Sequence, residues 1–160
     1  MTLTPSASLL ANLRAELQQW SPFAQMAPAH VERFAQSAVQ IYFAPDESVL
    51  GPADGVVHHL MLVRRGAVSG RPDREGALAA FQCDPGDLFP LGAALGGRAV
   101  TSIYTAVGDT FCLRLPLDVV QALARESPPL ADFLNRRVEQ FLAMSRRALQ
   151  AAVASQTLAE

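Results

Sequence analysis

The sequence TSIYTAVGDTFCLRL occupies residues 101–115 of the 160-residue chain. Its second half alternates with a period of two: one parity is Phe111, Leu113 and Leu115, and the other is Thr110, Cys112 and Arg114. Because successive side chains of a strand point to opposite faces, this alternation predicts β-structure. Gly108-Asp109 is typical of a hairpin turn, so we expect two antiparallel strands, residues 101–107 and 110–115.

Short β-branched or aromatic runs continue upstream of this stretch, at residues 39–43, 56–63, 67–70 and 77–83. Clusters of Pro, Gly and Asp separate them, at residues 44–46, 51–55, 71–76 and 84–87. Many short strands with close turns predict an antiparallel β-roll or jelly roll of about eight strands over residues 39–115.

Helical periodicity flanks the predicted roll on both sides. Residues 1–38 place Leu10, Leu13 and Leu17 at helical spacing, and a second helix is expected from Pro28. Residues 116–160 return to this period, with a short helix and then a long one that Ser127-Pro128 is expected to cap. The predicted fold class is therefore α+β and mainly β, with N-terminal helices and two C-terminal helices.

Composition narrows the classes of function. The chain is 50% hydrophobic and 18% charged with a net charge of −2, so it should bury a core but lacks the basic excess that nucleic-acid binding needs. All 13 basic residues are Arg, which excludes Schiff-base lysines and the lysine-dependent phosphate loop. The charge balance therefore predicts no nucleic-acid partner. No apolar run approaches about 18 residues and the first residues carry no signal peptide, so we also expect no membrane partner and a cytoplasmic location.

The cysteines and histidines do not show metal-ligand spacing. Cys83 and Cys112 are far apart and predict buried thiols, and we expect no metal and no cofactor. His58 and His59 are adjacent and would point to opposite faces of a strand. A cupin-like enzyme with chemistry at His58 or His59 remains an alternative, but we expect a domain that is not an enzyme.

Four segments carry a resemblance to a known family. They are Phe43-Ala44-Pro45-Asp46-Glu47, residues 60–68, Gly86-Asp87-Leu88-Phe89 and Arg98-Ala99-Val100-Thr101. Together with the element order they resemble the cyclic-nucleotide-binding domain over about residues 22–142. The resemblance implies a phosphate-binding cassette at residues 86–101, in which a short helix and the following arginine hold the cyclic phosphate.

The resemblance also implies the ligand-binding residues, which are Phe89, Pro90, Leu91, Gly92, Arg98, Ala99, Val100 and Thr101. Exposed amides at a helix start favour an anion, and an arginine adds a charge-assisted fork. Phe133 and Phe141 are candidate lid residues, with core packing as the alternative. The pattern alone favours a solvated loop residue after two glycines at Arg98, whereas the cassette around it favours contact with an anion.

One departure from the family concerns cyclic AMP. Members that bind it carry Phe-Gly-Glu, whose carboxylate accepts the ribose 2′-hydroxyl, whereas this chain has Phe89-Pro90-Leu91. An unpaired buried hydroxyl costs about 1–3 kcal/mol, so we expect weakened or lost cyclic-AMP affinity. The expected ligand is a cyclic nucleotide or another phosphate-bearing small molecule, and its binding would be transmitted through the C-terminal helices.

The fuller phrases, residues 86–95, 98–102 and 104–112, are most similar to the N-terminal sensor of bacterial signalling proteins that continue into CBS domains and a nucleotidyltransferase-type domain. This resemblance implies downstream domains as partners in a full-length protein. The apolar stripe of the long C-terminal helix predicts a homodimer. The alternative function is therefore a dimerisation or scaffold module whose pocket is vestigial.

Overall fold

The computed structural model of the protein describes residues 7–72 and 80–159. Helix α1 spans Ala7–Leu17 and α2 spans Pro28–Ser37, with a 3-10 turn at Phe23–Gln25 between them. Pro28 lies in the first turn of α2, where its missing N–H costs nothing, and Val31 and Phe34 are buried. The predicted N-terminal helices are confirmed.

The described part of the chain contains six strands, all paired antiparallel. They are β1 (Val39–Phe43), β2 (Ser48–Leu50), β3 (His59–Pro72), β4 (Phe81–Cys83), β5 (Leu88–Phe89) and β6 (Ser102–Pro116). Strand β6 pairs with β1, β2 and β3, while β3 also pairs with β4 and β5. A mainly antiparallel β-roll with helices at both ends is the predicted fold class, which is confirmed.

The predicted hairpin at Gly108-Asp109 is wrong. Apart from Thr101, residues 101–107 and 110–115 belong to the single strand β6, and in the same way residues 59–63 of the predicted run 56–63 merge with residues 67–70 into β3. The six strands of the described part roughly fit the eight or so that were expected, and two of them are longer because of these mergers. Of the predicted run 77–83, the structure describes a strand only at Phe81–Cys83, since residues 77–79 lie outside the described part.

Two glycines shape β3 and β6 without ending them. Gly66 has φ of 82° and Gly108 has φ of 72°, and the register between β3 and β6 shifts on both sides of Arg65. Such irregularities are β-bulges, which bend a strand and increase its twist. The Thr110 hydroxyl, buried in the bulge, donates to the Ala67 carbonyl at 3.0 Å. In the sequence these two glycines resemble hairpin turns. In the structure they bend β3 and β6 at bulges, and the strands continue on the other side.

Two helices follow the roll. Helix α4 spans Leu117–Glu126 and α5 spans Pro128–Ala159. Val120, Leu123, Leu130 and Leu134 bury their side chains in the core that the roll shares with α1 and α2. The expected Ser127 side-chain cap is wrong: the backbone of Ser127 bonds to Leu123 and Ala131, but its buried hydroxyl has no partner among the described residues. Within the described residues, no helix combines the length and apolar character needed to cross a membrane.

Candidate functional site

The predicted cassette begins at a tight turn held on β3. Gly86 has φ of 94°, its N–H donates to the Val63 carbonyl at 2.8 Å, and the Val63 N–H donates to the Asp87 carbonyl at 3.1 Å. The Asp87 carboxylate closes the turn by accepting the Asp84 N–H at 2.8 Å. Glycine is needed at position 86 for two reasons, the left-handed backbone and the Trp20 ring, which lies 2.8 Å from where a Cβ would stand.

The short helix of the cassette, α3, spans Leu91–Leu95. Pro90 precedes it and accepts the Ala94 N–H at 3.1 Å, so the proline starts the helix as its fixed φ suggests. Phe89 is buried and its ring stacks on Tyr104 at a centroid distance of 5.2 Å. Leu91 is half-buried against the core, and Gly92 is half-buried beside it.

The segment after α3 brings Arg98 back to the helix. Gly97, with φ of 66°, reverses the chain, and the Arg98 N–H donates to the Ala93 carbonyl at 3.0 Å. The Arg98 side chain is exposed and makes no ion pair or hydrogen bond with residues 7–72 or 80–159; it passes Gly96, with Nε 3.4 Å from the position of a Cβ there. Arg98 therefore lies along the carboxyl end of α3, and its charge is not neutralised by any described residue.

The other predicted cassette residues have different surroundings. Val100 is buried in the core, Ala99 is half-buried and Thr101 is exposed. Strand β6 starts at Ser102, one residue later than expected. Buried Val100 supports the roll from inside, whereas Arg98, Ala99 and Thr101 offer surface that a ligand can reach.

Helix α5 meets the cassette turn through charge and stacking. Arg137 places Nη2 3.8 Å from Asp87 Oδ1, and its guanidinium carbon lies 5.3 Å from the ring centroid of Phe133. Phe133 is half-buried against the core, so this candidate lid residue packs at the junction of α5 and the roll. The side chain of Phe141, the second candidate lid residue, lies outside the described part.

Sequence reasoning missed an aromatic cluster inside the roll. Tyr104 stacks on Phe89 and meets the edge of Phe81 at 5.6 Å, and the Phe81 ring lies where a Cβ on Gly70 would stand. Burial raises the pKa of Tyr104, of Cys83 to about 12 and of Cys112 to about 11. Tyr104 and Ala106 are two positions apart on β6, so they lie on the same, buried face. This period of two is the signal that could have predicted the buried position of the Tyr104 ring.

Two surface recesses lie away from the cassette. One, of about 350 Å³, is lined by residues of α2 and α4 that include Arg33 and Asp118. The other, of about 260 Å³, is lined by Glu16, Arg64, Arg65 and Phe111. His58 and His59 are both exposed, and the described residues contain no group of three His, Cys, Asp or Glu side chains that could hold a metal.

Comparison with known proteins identifies the fold. No protein-family model matches the chain, and no curated protein matches its sequence. Among solved structures, it is similar to the sensor domain of the transcriptional regulator DNR from Pseudomonas aeruginosa, with a TM-score of 0.66 and 14% identity over 81% of this chain and 92% of that one.

Two eukaryotic structures are similar over about half of their length. The regulatory domain of Toxoplasma gondii PKA, crystallised with cyclic AMP, gives a TM-score of 0.70 at 14% identity, with 82% of this chain and 50% of that one covered. The regulatory subunit of a cyclic-AMP-independent protein kinase A from Trypanosoma cruzi, bound to guanosine, gives 0.71 at 14% identity, with 89% and 51% covered. The protein thus has the fold of cyclic-nucleotide-binding domains.

Proposed function

We propose that the protein is a regulatory, ligand-sensing domain without catalytic activity, and that it binds a nucleotide or another phosphate-bearing small molecule at the cassette. The observation that carries the proposal is Arg98, exposed beside α3 and without an ion-pair partner in residues 7–72 and 80–159. The fold supports it, since the similar structures include one with cyclic AMP and one with guanosine.

Arginine suits a phosphate because of its charge and shape. The guanidinium stays protonated at all physiological pH values and presents a planar fork of donors that matches two phosphate oxygens. Arg98 is reachable from solvent, and the chain reversal at Gly97 fixes its backbone against α3. The ligand's phosphate would therefore meet Arg98, and its remainder would contact half-buried Leu91 and Gly92 and the accessible surface at Ala99 and Thr101.

Weak affinity for cyclic AMP is part of the proposal. Leu91 stands where cyclic-AMP-binding members of the resembled family carry glutamate, and its half-buried side chain packs against the core. A ribose 2′-hydroxyl placed beside it would lose a hydrogen bond, which corresponds to about tenfold to a hundredfold in affinity. We expect Leu91→Glu to recover part of this affinity, and a ligand without that hydroxyl to be insensitive to the substitution.

Transmission would use the contact between the cassette turn and α5. Asp87 closes the turn and faces Arg137, which in turn covers Phe133. A ligand that shifts the cassette changes the distance between Asp87 and Arg137, so it favours one orientation of α5 over another.

Isothermal titration calorimetry tests the binding proposal. Wild-type protein and Arg98→Ala would be titrated with cyclic AMP, cyclic GMP, ATP and cyclic dinucleotides, with Arg125→Ala, another exposed arginine, as the matched control. Loss of a charge-assisted fork should weaken binding by about tenfold or more in Arg98→Ala alone. Absence of binding in every titration, or equal affinity in both variants, would remove the proposal.

A second candidate function is a dimerisation or scaffold module of a larger signalling nucleotidyltransferase, with a vestigial pocket. The exposed apolar side chains of α5, Leu142 at 47% and Val153 at 56%, favour it, since a partner helix would cover them. Sedimentation equilibrium decides the matter: a monomer at high protein concentration contradicts the dimer, whereas a dimer that Leu142→Glu dissociates supports it.

A further inference from the structure

Aromatic rings fill the interior of the roll behind the cassette. Phe89 and Tyr104 are buried and stack at an interplanar angle of 16°. Phe81 continues the series, with 5.6 Å between its ring centroid and that of Tyr104 and an interplanar angle of 72°. These three residues form the ring row, which runs from β5 through β6 to β4. Because Phe89 belongs to the cassette, the ring row begins directly beside the predicted ligand site.

Gly70 on β3 shows how closely the ring row packs on the sheet. It is the cross-strand neighbour of Phe81 on one side and of Tyr104 on the other. The Phe81 ring lies over it, and a Cβ at position 70 would stand 2.2 Å from the nearest ring carbon. The strand and this ring are therefore in direct contact, so a further ring cannot enter between them while Phe81 keeps its place.

The inner side of α3 is closed in the same way. Ala93 and Ala94 are buried in the core, and so is Val100 after the chain reversal. Beside exposed Arg98, half-buried Leu91 is part of the surface that a ligand can reach. Neither of the two recesses described above includes a cassette residue. Within the described ranges, a ligand at Arg98 therefore meets a closed surface.

We propose that the ligand of the cassette is a small phosphate ester, recognised through its phosphate and the adjoining sugar, and that the ring row keeps a nucleobase out of the roll. This inference rests on the proposed function, since it concerns the ligand that Arg98 would hold. Stacking of a base on aromatic side chains raises affinity by about tenfold to a hundredfold. The ring row forgoes this gain, because its own rings already make the stacking contacts.

Two phosphate esters that differ in the base test the proposal. Ribose 5-phosphate and AMP share the sugar and the phosphate, whereas adenosine has the base and no phosphate. Titration calorimetry measures each affinity, with cyclic AMP included, and amide chemical shifts of the isotope-labelled chain locate binding. We expect the two esters to bind within about threefold of each other, with shifts at Arg98 and none at Phe81 or Tyr104, and adenosine not to bind.

Substitutions at the end of the ring row give the controls. Phe81→Ala removes the ring over Gly70 and opens space beside Tyr104, so AMP should then bind about tenfold more tightly than ribose 5-phosphate. Phe81→Leu is the milder variant and should give a smaller preference for AMP, with circular dichroism to verify that both variants fold. Phe111→Ala, at an exposed aromatic residue of β6, is the matched control and should leave the two affinities equal.

The outcomes separate this inference from the function on which it rests. Binding of AMP to the wild type at least tenfold more tightly than ribose 5-phosphate, or shifts at Phe81 and Tyr104 with cyclic AMP, would overturn the inference and leave the proposed function standing. Equal affinities in a folded Phe81→Ala would also overturn it, because the ring row would not be what excludes the base. Absence of binding by every ester would remove the inference and the proposed function together.

Discussion

Cys83 and Cys112 resist ionisation because both thiols lie in the apolar interior of the roll. Burial raises the pKa of Cys83 to about 12 and that of Cys112 to about 11, against 9.0 for an unperturbed thiol. The nucleophilic thiolate is therefore scarce in the folded state, and reactivity at these positions is low.

The raised pKa values of the two thiols predict how the free energy of unfolding depends on pH. A raised folded pKa contributes stability that is fully present below pH 9 and is lost as pH rises toward 11 and 12, because the unfolded state loses its protons first. Tyr104, whose pKa burial also raises, acts in the same direction. The free energy of unfolding, from urea titrations at several pH values above about 8, should fall less steeply in Cys83→Ala/Cys112→Ala than in wild type. Equal slopes would contradict the assignment.

The Glu16–Arg64 pair links α1 to β3 at the residue scale. Arg64 Nε and Nη2 donate to the two carboxylate oxygens at 3.2 and 2.6 Å, and both side chains are about three-quarters covered. A bidentate, partly buried ion pair has a larger coupling energy than a surface pair. A double-mutant cycle of Glu16→Gln and Arg64→Met should therefore give a coupling energy of about 1–2 kcal/mol. A cycle of Arg33→Met and Glu126→Gln, a more exposed pair, is the comparison and should give less.

At the scale of elements, β3 and β6 depend on glycines that differ in crowding. A Cβ on Gly66 would stand 2.4 Å from the Asp109 carbonyl oxygen, whereas one on Gly108 would have nothing within 4 Å. Both residues have positive φ. Gly108→Ala should therefore cost only backbone strain of about 1 kcal/mol, and Gly66→Ala should cost about 2 kcal/mol more, measured by urea unfolding. Similar losses would mean that the bulge relaxes around the new methyl group.

The same glycines show where sequence reasoning stops. Periodicity identified the helices at both ends and the β-class of the middle, because both follow from local patterns, whereas the cassette was expected only from the resemblance to a family. It could not separate a bulge from a hairpin at Gly108, since both need a left-handed residue between alternating runs. Only the long-range pairing of β6 with β3 distinguishes the two, and that pairing leaves no local trace.

For the candidate site, the sequence predicted the residues that follow one another along the chain, but it did not predict the contacts between distant segments. The cassette phrase placed α3 and Arg98, which are contiguous in sequence. The approach of Arg137 to Asp87 and the stacking of Tyr104 on Phe89 join segments far apart in the chain. Such contacts depend on how α5 and β6 fold back onto the cassette, so no spacing rule in the sequence indicates them.

At the scale of the whole molecule, the cassette turn contacts the helical segments that flank the roll on both sides. Trp20, just after α1, packs on Gly86; β3 binds the turn through the Val63 backbone; and α5 reaches Asp87 through Arg137. A ligand that moves this turn acts on all three contacts together. The contact with α5 is the weakest of them, because its two charges are 3.8 Å apart and their side chains are 47% and 37% exposed. Under the proposed function, it is therefore the contact that a ligand at the cassette would break or form.

This weakness predicts the response of α5 to ligand. Arg137→Ala should lower stability by less than about 1 kcal/mol, yet amide hydrogen exchange in the first turns of α5 should rise by up to about fivefold. Any change in α5 exchange that a cassette ligand causes in wild type should shrink in this variant. Arg136→Ala is the matched control, since among residues 7–72 and 80–159 the Arg136 side chain hydrogen-bonds only to the Asp132 carbonyl within α5. If both variants keep the full response, the signal travels through the apolar contacts of Leu130 and Leu134, and the Asp87–Arg137 pair does not carry it.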